Sequence, residues 1–265
     1  MTLVSLLYHD IVGPGESASS GFGGADADVY KLERDQFAAH LASIAAVVRD
    51  CPVVSTPAPP DDSGRKLAFT FDDGGVSALS AADMLEERGW RGYFFVTTDY
   101  VGARGFLTAP HVRELDARGH VIGSHSCSHP PRISHCPPAQ LDHEWRDSIQ
   151  ALEAITGKPC LTASVPGGYY SRRVARAAAA AGLRLLFTSE PVHRVDAVDG
   201  CTVLGRYSIQ RGTAAAAAAA IARGDRAPRW RQYLLWNAKK VAKQLGGAQY
   251  IAVRKALLRS VRVPR

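Results

Sequence analysis

Apolar and polar positions along this chain follow two alternating patterns. Short apolar runs, such as residues 3–8, 66–71 and 161–165, are typical of buried strands. Between them lie longer segments with apolar residues at helical spacing, such as 34–49 and 139–156, which predict covering helices. Strands that alternate with helices favour a parallel sheet, so we expect an α/β fold, either a barrel or a doubly wound sheet.

The pattern changes near residue 210, where an alanine-rich run and two basic segments predict three further helices. We therefore divide the 265 residues into an α/β domain (1–210, with a motif-bearing core at 66–210) and a basic helical extension (211–265). The extension holds thirteen Lys and Arg and one acidic residue, a net charge of +12. Because the whole chain carries +7, the remaining 210 residues carry −5.

The extension permits two interpretations. Its predicted basic helices, 229–245 and 248–259, carry Trp230, Tyr233 and Trp236 and are suited to packing on the α/β domain. Aromatic residues among Lys and Arg also suit an anionic membrane surface, so peripheral membrane association is the alternative. Nucleic acid would meet the same charge, but no recognised binding module accompanies it, and we expect no nucleic-acid partner.

Signals for export are absent from the sequence pattern. No apolar window is long enough for a membrane span, and the first residues lack a basic start and a cleavage site. The five cysteines are irregularly spaced, which argues against a disulfide framework. We expect a cytoplasmic protein, peripheral at the inner face of the membrane if the extension binds there.

The strand predicted at 66–71 ends on two adjacent carboxylates, Asp72 and Asp73. Neighbouring carboxylates repel each other, and a bound cation would relieve that repulsion. Gly74 and Gly75 follow, and they allow a sharp turn and the close approach of a ligand. An ordinary polar turn after a core strand has the same composition, so this motif needs support from elsewhere in the chain.

A second polar motif, His-Ser-Cys-Ser-His at 125–129, follows another predicted strand. Histidines at i and i+4 lie on one face of a helical turn and suit one divalent ion, although such pairs also occur on ordinary surfaces. In a parallel sheet His125 and His129 would lie at the same edge as Asp72 and Asp73. We therefore predict an open His-His-Asp metal site, with Zn²⁺ as the first candidate and Co, Ni or Fe as alternatives.

A third predicted strand ends in Ser-Val-Pro-Gly-Gly-Tyr at 164–169. A glycine after a proline can present its backbone N–H to a developing oxyanion, which makes Gly167 a candidate donor. Pro-Gly-Gly is also an ordinary turn.

Together, Thr-Phe-Asp-Asp-Gly, His-Ser-x-x-His and the Pro-x-Gly strand end resemble the polysaccharide deacetylase family (NodB homology domain, carbohydrate esterase 4) over about residues 1–210. The resemblance implies a distorted (β/α) barrel of about seven or eight strands. It makes Asp72 the general base, and we assign Gly167 and Tyr169 to the oxyanion and substrate side. It makes the metal ligands Asp73, His125 and His129.

The chain departs from the family pattern at two points. Ser164 stands where the third motif normally has an arginine, and the Leu-x-His motif of the general acid is absent from the end of the domain. Leu7-Tyr8-His9 supplies that motif near the start, an order found in a circularly permuted branch that includes deacetylases of biofilm poly-N-acetylglucosamine. We assign His9 as the general acid, with a purely structural role as the alternative. Arg206 is the candidate replacement for the missing arginine beside Asp72.

These assignments predict a hydrolase that removes an N-acetyl group from an N-acetylhexosamine unit of a surface glycan or its lipid-linked precursor, as in bacterial exopolysaccharide biosynthesis. A divalent ion would activate water, Asp72 would accept its proton, Gly167 would bind the oxyanion and His9 would protonate the leaving amine. Two alternatives remain. One is an inactive deacetylase-like module that binds glycan or protein partners, and the other is an O-acetyl esterase or another C–N hydrolase of this fold.

Overall fold

The computed structural model of the protein describes residues 2–48 and 65–238. The strands are β1 Thr2–Tyr8, β2 Ile11–Val12, β3 Leu32–Glu33, β4 Arg65–Phe71, β5 Gly92–Val96, β6 Val121–Ser124, β7 Thr162–Ser164, β8 Leu185–Phe187, β9 Asp196–Val198, β10 Cys201–Leu204 and β11 Tyr207–Ser208. The helices are α1 Ala25–Asp28, α2 Arg34–Ala45, α3 Ala78–Glu86, α4 Ala109–Ala117, α5 Pro138–Thr156, α6 Arg172–Ala180 and α7 Ala215–Arg223, followed by α8 at residues 226–238.

Nine of these strands form one sheet in the order β11-β1-β4-β5-β6-β7-β8-β10-β9. Every neighbouring pair is parallel except β10 and β9, which form an antiparallel hairpin. β2 and β3 pair separately in a small parallel sheet. The predicted α/β fold with a parallel sheet is confirmed.

The sheet curls because the chain joins its two edges directly. β10 and β11 lie near opposite edges, yet only Gly205 and Arg206 separate them in the sequence. Three Cα steps reach at most about 11 Å, so the two edges must approach each other at this seam. The result is an open half-barrel of nine strands, where a barrel of seven or eight strands was predicted.

Side chains alternate between the two faces of the curled sheet. On the outer face, Phe69 and Phe71 of β4 pack in the larger hydrophobic core beneath the helices. The inner face holds a second, smaller core: Leu3, Ala68, Tyr93, Phe95, Leu185, Phe187 and Leu204. Because neighbouring strands are parallel and in register, inward-facing residues lie side by side across the sheet. The next inward-facing residue beyond the carboxyl end of each strand therefore lies at the same end of the half-barrel.

Four short strands were not predicted from the sequence: β2, β3, β9 and β11. Each has two or three residues, too few for a period-two pattern to be recognised. The longer predicted strands are confirmed, with ends shifted by a residue or two. The predicted connector at 51–60 and the second basic helix at 248–259 lie outside the described residues.

The first helix of the extension packs on the α/β domain. Ala218, Ala219, Ile221 and Ala222 of α7 are buried, and Thr213 just before it accepts hydrogen bonds through its carbonyl oxygen from α2 side chains. The domain boundary near residue 210 stays a prediction. Across the described ranges no helix has the length and apolar character of a membrane span, and the four described cysteines are free thiols.

Candidate active site

Strand alternation brings five polar side chains to one end of the half-barrel. His9, Asp72 and His125 are the inner-phase residues that follow β1, β4 and β6, and Ser164 ends β7 in the same phase. Arg206 lies at the seam between β10 and β11. All except half-buried His9 are buried, and the carboxyl ends of parallel strands are where α/β proteins place their sites.

Asp73 joins this group through a local change of backbone direction. It would continue the outer phase of β4, but its φ of +78° is in the left-handed region and turns the chain back toward the site. Gly74, with φ +79°, completes the turn. The adjacent carboxylates therefore both remain at the carboxyl end of β4.

The His-Ser-Cys-Ser-His segment is an irregular loop, so the prediction of a helical turn at 125–129 is wrong. Ser126 and His129 have φ values of +64° and +54°, which break any helical repeat. The loop is fixed by Glu144 on α5, whose carboxylate accepts hydrogen bonds from Ser128 N at 3.0 Å and Ser128 Oγ at 2.6 Å. A distant helix, and not helical spacing, brings the two imidazoles together.

Asp73, His125 and His129 place one potential ligand atom each within 4.8 Å of one another. Asp73 Oδ1 lies 3.4 Å from His125 Nε2 and 3.7 Å from His129 Nε2. We call these three residues the ligand triad. They are the predicted metal ligands, and the structure brings all three together.

A hydrogen-bond chain determines which nitrogen of His125 carries its proton. Ser164 Oγ donates to Asp72 Oδ1 at 3.0 Å and accepts from His125 Nδ1 at 2.5 Å. In the neutral ring the lone pair is then on Nε2, which faces Asp73 Oδ1. Two acceptors that face each other at this distance suit a cation between them, so the donor set fits a divalent metal.

The imidazole of His129 is also held in the form that binds metals. Burial, followed by the interaction with the neighbouring imidazole of His125, lowers the pKa of His129 to about 4. At neutral pH this ring is therefore uncharged and keeps a lone pair for a ligand bond.

Asp72 has a different environment, which we call the Asp72 pocket: Asp72, Ser164 and Arg206. The Arg206 guanidinium binds the carboxylate with both arms, Nη1 to Oδ1 and Nη2 to Oδ2, each at 2.7 Å. Burial by itself raises the pKa of Asp72, but the charge and hydrogen bonds of Arg206, together with His125, hold that pKa well below its usual range. Asp72 is therefore an ionised carboxylate in a fixed orientation.

Arg206 is fully buried and each of its contacts is long-range in sequence. Its Nε donates to Thr188 O at 3.0 Å and its Nη1 to Thr70 Oγ1 at 3.2 Å. The guanidinium carbon lies 5.6 Å from the ring centre of Phe95 and 5.9 Å from that of Phe187. Arg206, the predicted replacement for the missing arginine, thus contacts Asp72 from the seam. Ser164 has a small side chain that does not obstruct this contact.

His9 lies beside these groups at the end of β1, where Asp72 N donates to the carbonyl oxygen of Tyr8 at 3.1 Å. Its ring packs against Tyr30, with centres 4.6 Å apart. The Nδ1 atom of His9 is buried and has no hydrogen-bond partner among the residues described. The ring is therefore positioned by packing and retains a free polar atom.

The Pro-Gly-Gly strand end forms a short 3-10 turn at Pro166–Gly168. Gly167 and Gly168 have φ values of +63° and +71°, a conformation that explains both glycines. Tyr169 is half-buried, and the Arg132 guanidinium lies 6.0 Å from its ring centre. The predicted oxyanion role of Gly167 and substrate role of Tyr169 stay predictions.

The loop at 13–28 is held in place beside the site. The Asp10 carboxylate accepts hydrogen bonds from Ser20 Oγ at 2.6 Å and Ser77 Oγ at 2.8 Å, and Lys31 Nζ donates to Ser20 O at 2.6 Å. A Cβ on Gly75 would clash with Asp10 and Ser20, so the second glycine of the Asp-Asp-Gly-Gly motif makes room for this attachment.

Phe22, in the same loop, reaches the ligand triad. Its ring centre lies 5.0 Å from that of His129, 4.8 Å from Tyr100 and 5.1 Å from Phe106. The loop thus adds an aromatic wall next to the metal ligands. Sequence reasoning missed Phe22 and Glu144 because no motif contains them, and only their contacts with His129 and Ser128 reveal them.

Comparisons with known proteins show similarity over the segment that contains most of these residues. A model of the polysaccharide deacetylase family matches residues 60–186, which include Asp72, the whole ligand triad and Gly167. The chitooligosaccharide deacetylase of Bradyrhizobium sp. (strain ANU 289) is 29% identical over 127 residues, 46% of this chain and 56% of that protein. The chain spans about half the length of such curated relatives.

Solved structures show the same fold. A polysaccharide deacetylase from Bacillus cereus superposes with a TM-score of 0.70 at 19% identity, over 83% of this chain and 69% of that one. IcaB from Ammonifex degensii superposes with a TM-score of 0.66 at 20% identity, over 84% and 97%. Residues 60–186 therefore match the polysaccharide deacetylase family, and the described residues have the fold of the solved polysaccharide deacetylase from Bacillus cereus. The circular permutation stays a prediction.

Proposed function

We propose that this protein is a divalent-metal-dependent N-deacetylase that acts on an N-acetylhexosamine unit of a glycan or of its lipid-linked precursor. The observation that carries the proposal is the pairing of the ligand triad with a separately oriented carboxylate, Asp72, inside a deacetylase domain. Hydrolysis of an acetyl group needs both an activated water and a base beside it.

Asp73, His125 and His129 would hold the metal, with Zn²⁺ as the first candidate for two imidazoles and a carboxylate. Such an ion supplies a water of lowered pKa and positive charge for the carbonyl oxygen. That chemistry suits Asp72, because a carboxylate with a depressed pKa accepts a proton readily only from an acidified donor.

Asp72 would act as the base through Oδ2. Its Oδ1 already accepts hydrogen bonds from Arg206 and Ser164, whereas Oδ2 accepts one from Arg206 and lies 3.9 Å from His125 Nε2, on the side of the triad. The bidentate Arg206 contact prevents rotation of the carboxylate, so the remaining lone pair keeps its direction.

His9 would protonate the leaving nitrogen. An amide nitrogen leaves as an amine only after it gains a proton, and a histidine titrates near the pH at which such transfers are efficient. The His9 Nδ1 without a hydrogen-bond partner in the described chain supports this role. Gly167 would donate its backbone N–H to the oxyanion, and the half-buried Tyr169 would contact the sugar.

The test measures acetate release from chitooligosaccharides beside metal content by elemental analysis, in the parent, Asp72→Asn and Asp73→Ala proteins. We expect about one ion per chain in the parent, retained by Asp72→Asn and lost by Asp73→Ala, with activity lost in both variants. A parent that binds no divalent ion after incubation with Zn²⁺ or Co²⁺ would overturn the proposal and favour a binding module.

A second arm compares amide with ester substrates. Acetate released from O-acetylated xylooligosaccharides but not from chitooligosaccharides would replace the N-deacetylase proposal with an esterase of the same domain. We expect the reverse, because His9 adds a proton donor that a nitrogen leaving group requires.

A further inference from the structure

Most of the exposed large hydrophobic side chains of the described chain lie on α8. Among the residues described, the exposed large hydrophobic side chains are Val195, Trp230, Tyr233, Leu234 and Leu235, and all but Val195 belong to this helix. Large apolar side chains gathered on one exposed helix mark a surface that binds a partner.

The opposite side of α8 is attached to the domain. Gln232 Nε2 donates to Ser208 O at 2.8 Å, and the Arg229 guanidinium lies 5.6 Å from the ring centre of Tyr207. Successive residues of an α-helix are rotated by about 100° around its axis. Trp230 and Leu234 therefore lie on the side of α8 opposite Arg229 and Gln232. Trp230 and Leu234 accordingly point away from the domain and are 59% and 58% exposed.

An ordinary surface helix turns its apolar residues to the core and its polar residues to water. On α8 the half-buried Trp236 lies on the domain side with Gln232 and Arg229, but Trp230, Leu234 and Leu235 remain exposed. We call Trp230, Leu234 and Leu235 the α8 outer face. Contact with an apolar partner would remove these side chains from water, which is favourable.

The charge around the α8 outer face identifies the chemistry of that partner. Arg226 and Arg231 lie on α8, and Asp225, the acid just before it, is already bonded to Arg223. The sequence that follows, residues 239–265, holds eight Lys and Arg and no acid. Aromatic and aliphatic side chains set among positive charges match the boundary between lipid headgroups and acyl chains of an anionic membrane.

We propose that the α8 outer face docks on an anionic lipid surface, with Trp230 and Leu234 inserted at the headgroup level and Arg226 and Arg231 against lipid phosphates. The proposal is independent of the reaction catalysed. A docked enzyme would meet substrates that are themselves held at a membrane, such as lipid-linked glycans.

The test is flotation of the 265-residue chain with phosphatidylcholine vesicles, with and without phosphatidylserine. We expect the parent to float only with phosphatidylserine and less at high salt. The double variant Trp230→Ser/Leu234→Ser should reduce partition by about tenfold or more, because two large apolar side chains no longer insert. Val195→Ser, a change at an equally apolar position 51% exposed but off α8, is the matched control and should bind as the parent does.

Deacetylase activity on soluble chitooligosaccharides is measured in parallel and should not change in these variants, so failure of docking and failure of the proposed reaction are distinguishable. A parent that does not float with anionic vesicles would overturn the proposal. Equal flotation of the double variant would overturn it too, because charge alone would then explain binding. A parent that sediments as a dimer, while the double variant is a monomer, would assign the face to a second copy of the chain instead.

Discussion

The Asp72 pocket and the ligand triad lie side by side, but their carboxylates have different partners. Asp72 is neutralised by Arg206, held in two directions and hydrogen-bonded by Ser164. Asp73 faces two imidazole nitrogens at 3.4 and 3.7 Å, and no Arg or Lys side chain among the described residues lies within ion-pair distance of it. The adjacent carboxylates therefore have different partners, a guanidinium for Asp72 and imidazoles for Asp73.

This difference explains how two neighbouring aspartates can have separate tasks. A carboxylate bound to arginine keeps its proton affinity low and its geometry fixed, while one beside neutral imidazoles is available to a metal. Ser164 connects the two regions, since it contacts both Asp72 and His125. Substitutions in the Asp72 pocket should therefore change catalysis and stability, whereas substitutions around the ligand triad should change metal affinity.

The largest effect is expected from removal of the charge that completes the Asp72 pocket. Arg206→Met leaves Asp72 buried without a counter-charge, which costs about 3–5 kcal/mol of unfolding free energy. The pKa of Asp72 should rise, and deacetylase activity should fall by about 10²–10⁴-fold because the base is no longer oriented or ionised. Urea denaturation and acetate release measure the two effects.

Two variants serve as controls for Arg206. Arg206→Lys keeps the charge but not the two-armed contact and should lie between parent and Arg206→Met. In Ser164→Arg/Arg206→Ser the arginine moves to the position where the family carries it, and this variant should regain part of the activity lost in Arg206→Ser. Parent-like stability of Arg206→Met would contradict our account of the pocket.

His9→Gln should have the next largest effect, because it removes a proton donor and leaves both regions intact. We expect kcat for N-acetyl substrates to fall by about 100-fold with metal content unchanged. Acetate release at several pH values is the measurement. Tyr30→Leu, which alters only the ring packed on His9, should show a much smaller loss; equal losses in both variants would point to packing and not to proton transfer.

Glu144→Gln should weaken the ligand triad without touching the Asp72 pocket. The carboxylate of Glu144 holds the loop between the two histidine ligands, and supporting contacts of this kind typically contribute about 10–100-fold to metal affinity. Metal titration by competition with a chelator measures the affinity, and saturating metal should restore kcat. Ser128→Ala, which removes one of the same hydrogen bonds, should show a smaller shift in the same direction.

Phe22→Ala is expected to have the smallest effect. It tests whether the aromatic wall contributes to substrate binding independently of the metal ligands. Loss of a large apolar contact for the sugar should raise KM by about tenfold, with kcat and metal content close to the parent. Phe22→Tyr retains the ring and serves as the control. A fall in metal content instead would show that Phe22 positions His129 and has no separate part in substrate binding.

The sequence by itself determined the elements whose signals are local. Period-two runs marked the longer strands, and Asp72, Asp73, His125 and His129 follow two of them, so their meeting at one edge could be predicted from the parallel order alone. The residue types of the ligand triad also indicated a metal before any distance was known.

Tertiary structure decided what depends on contacts between distant segments. The loop at 125–129 is irregular because Glu144 on α5 holds Ser128, and the strands β2, β3, β9 and β11 exist only through their pairing. Arg206 is 134 residues from Asp72, and only the curling of the sheet at its seam brings the two together. The attraction between two charges depends on their distance in space and not on their separation in the sequence. The residue that pairs with a buried carboxylate is therefore decided by tertiary packing.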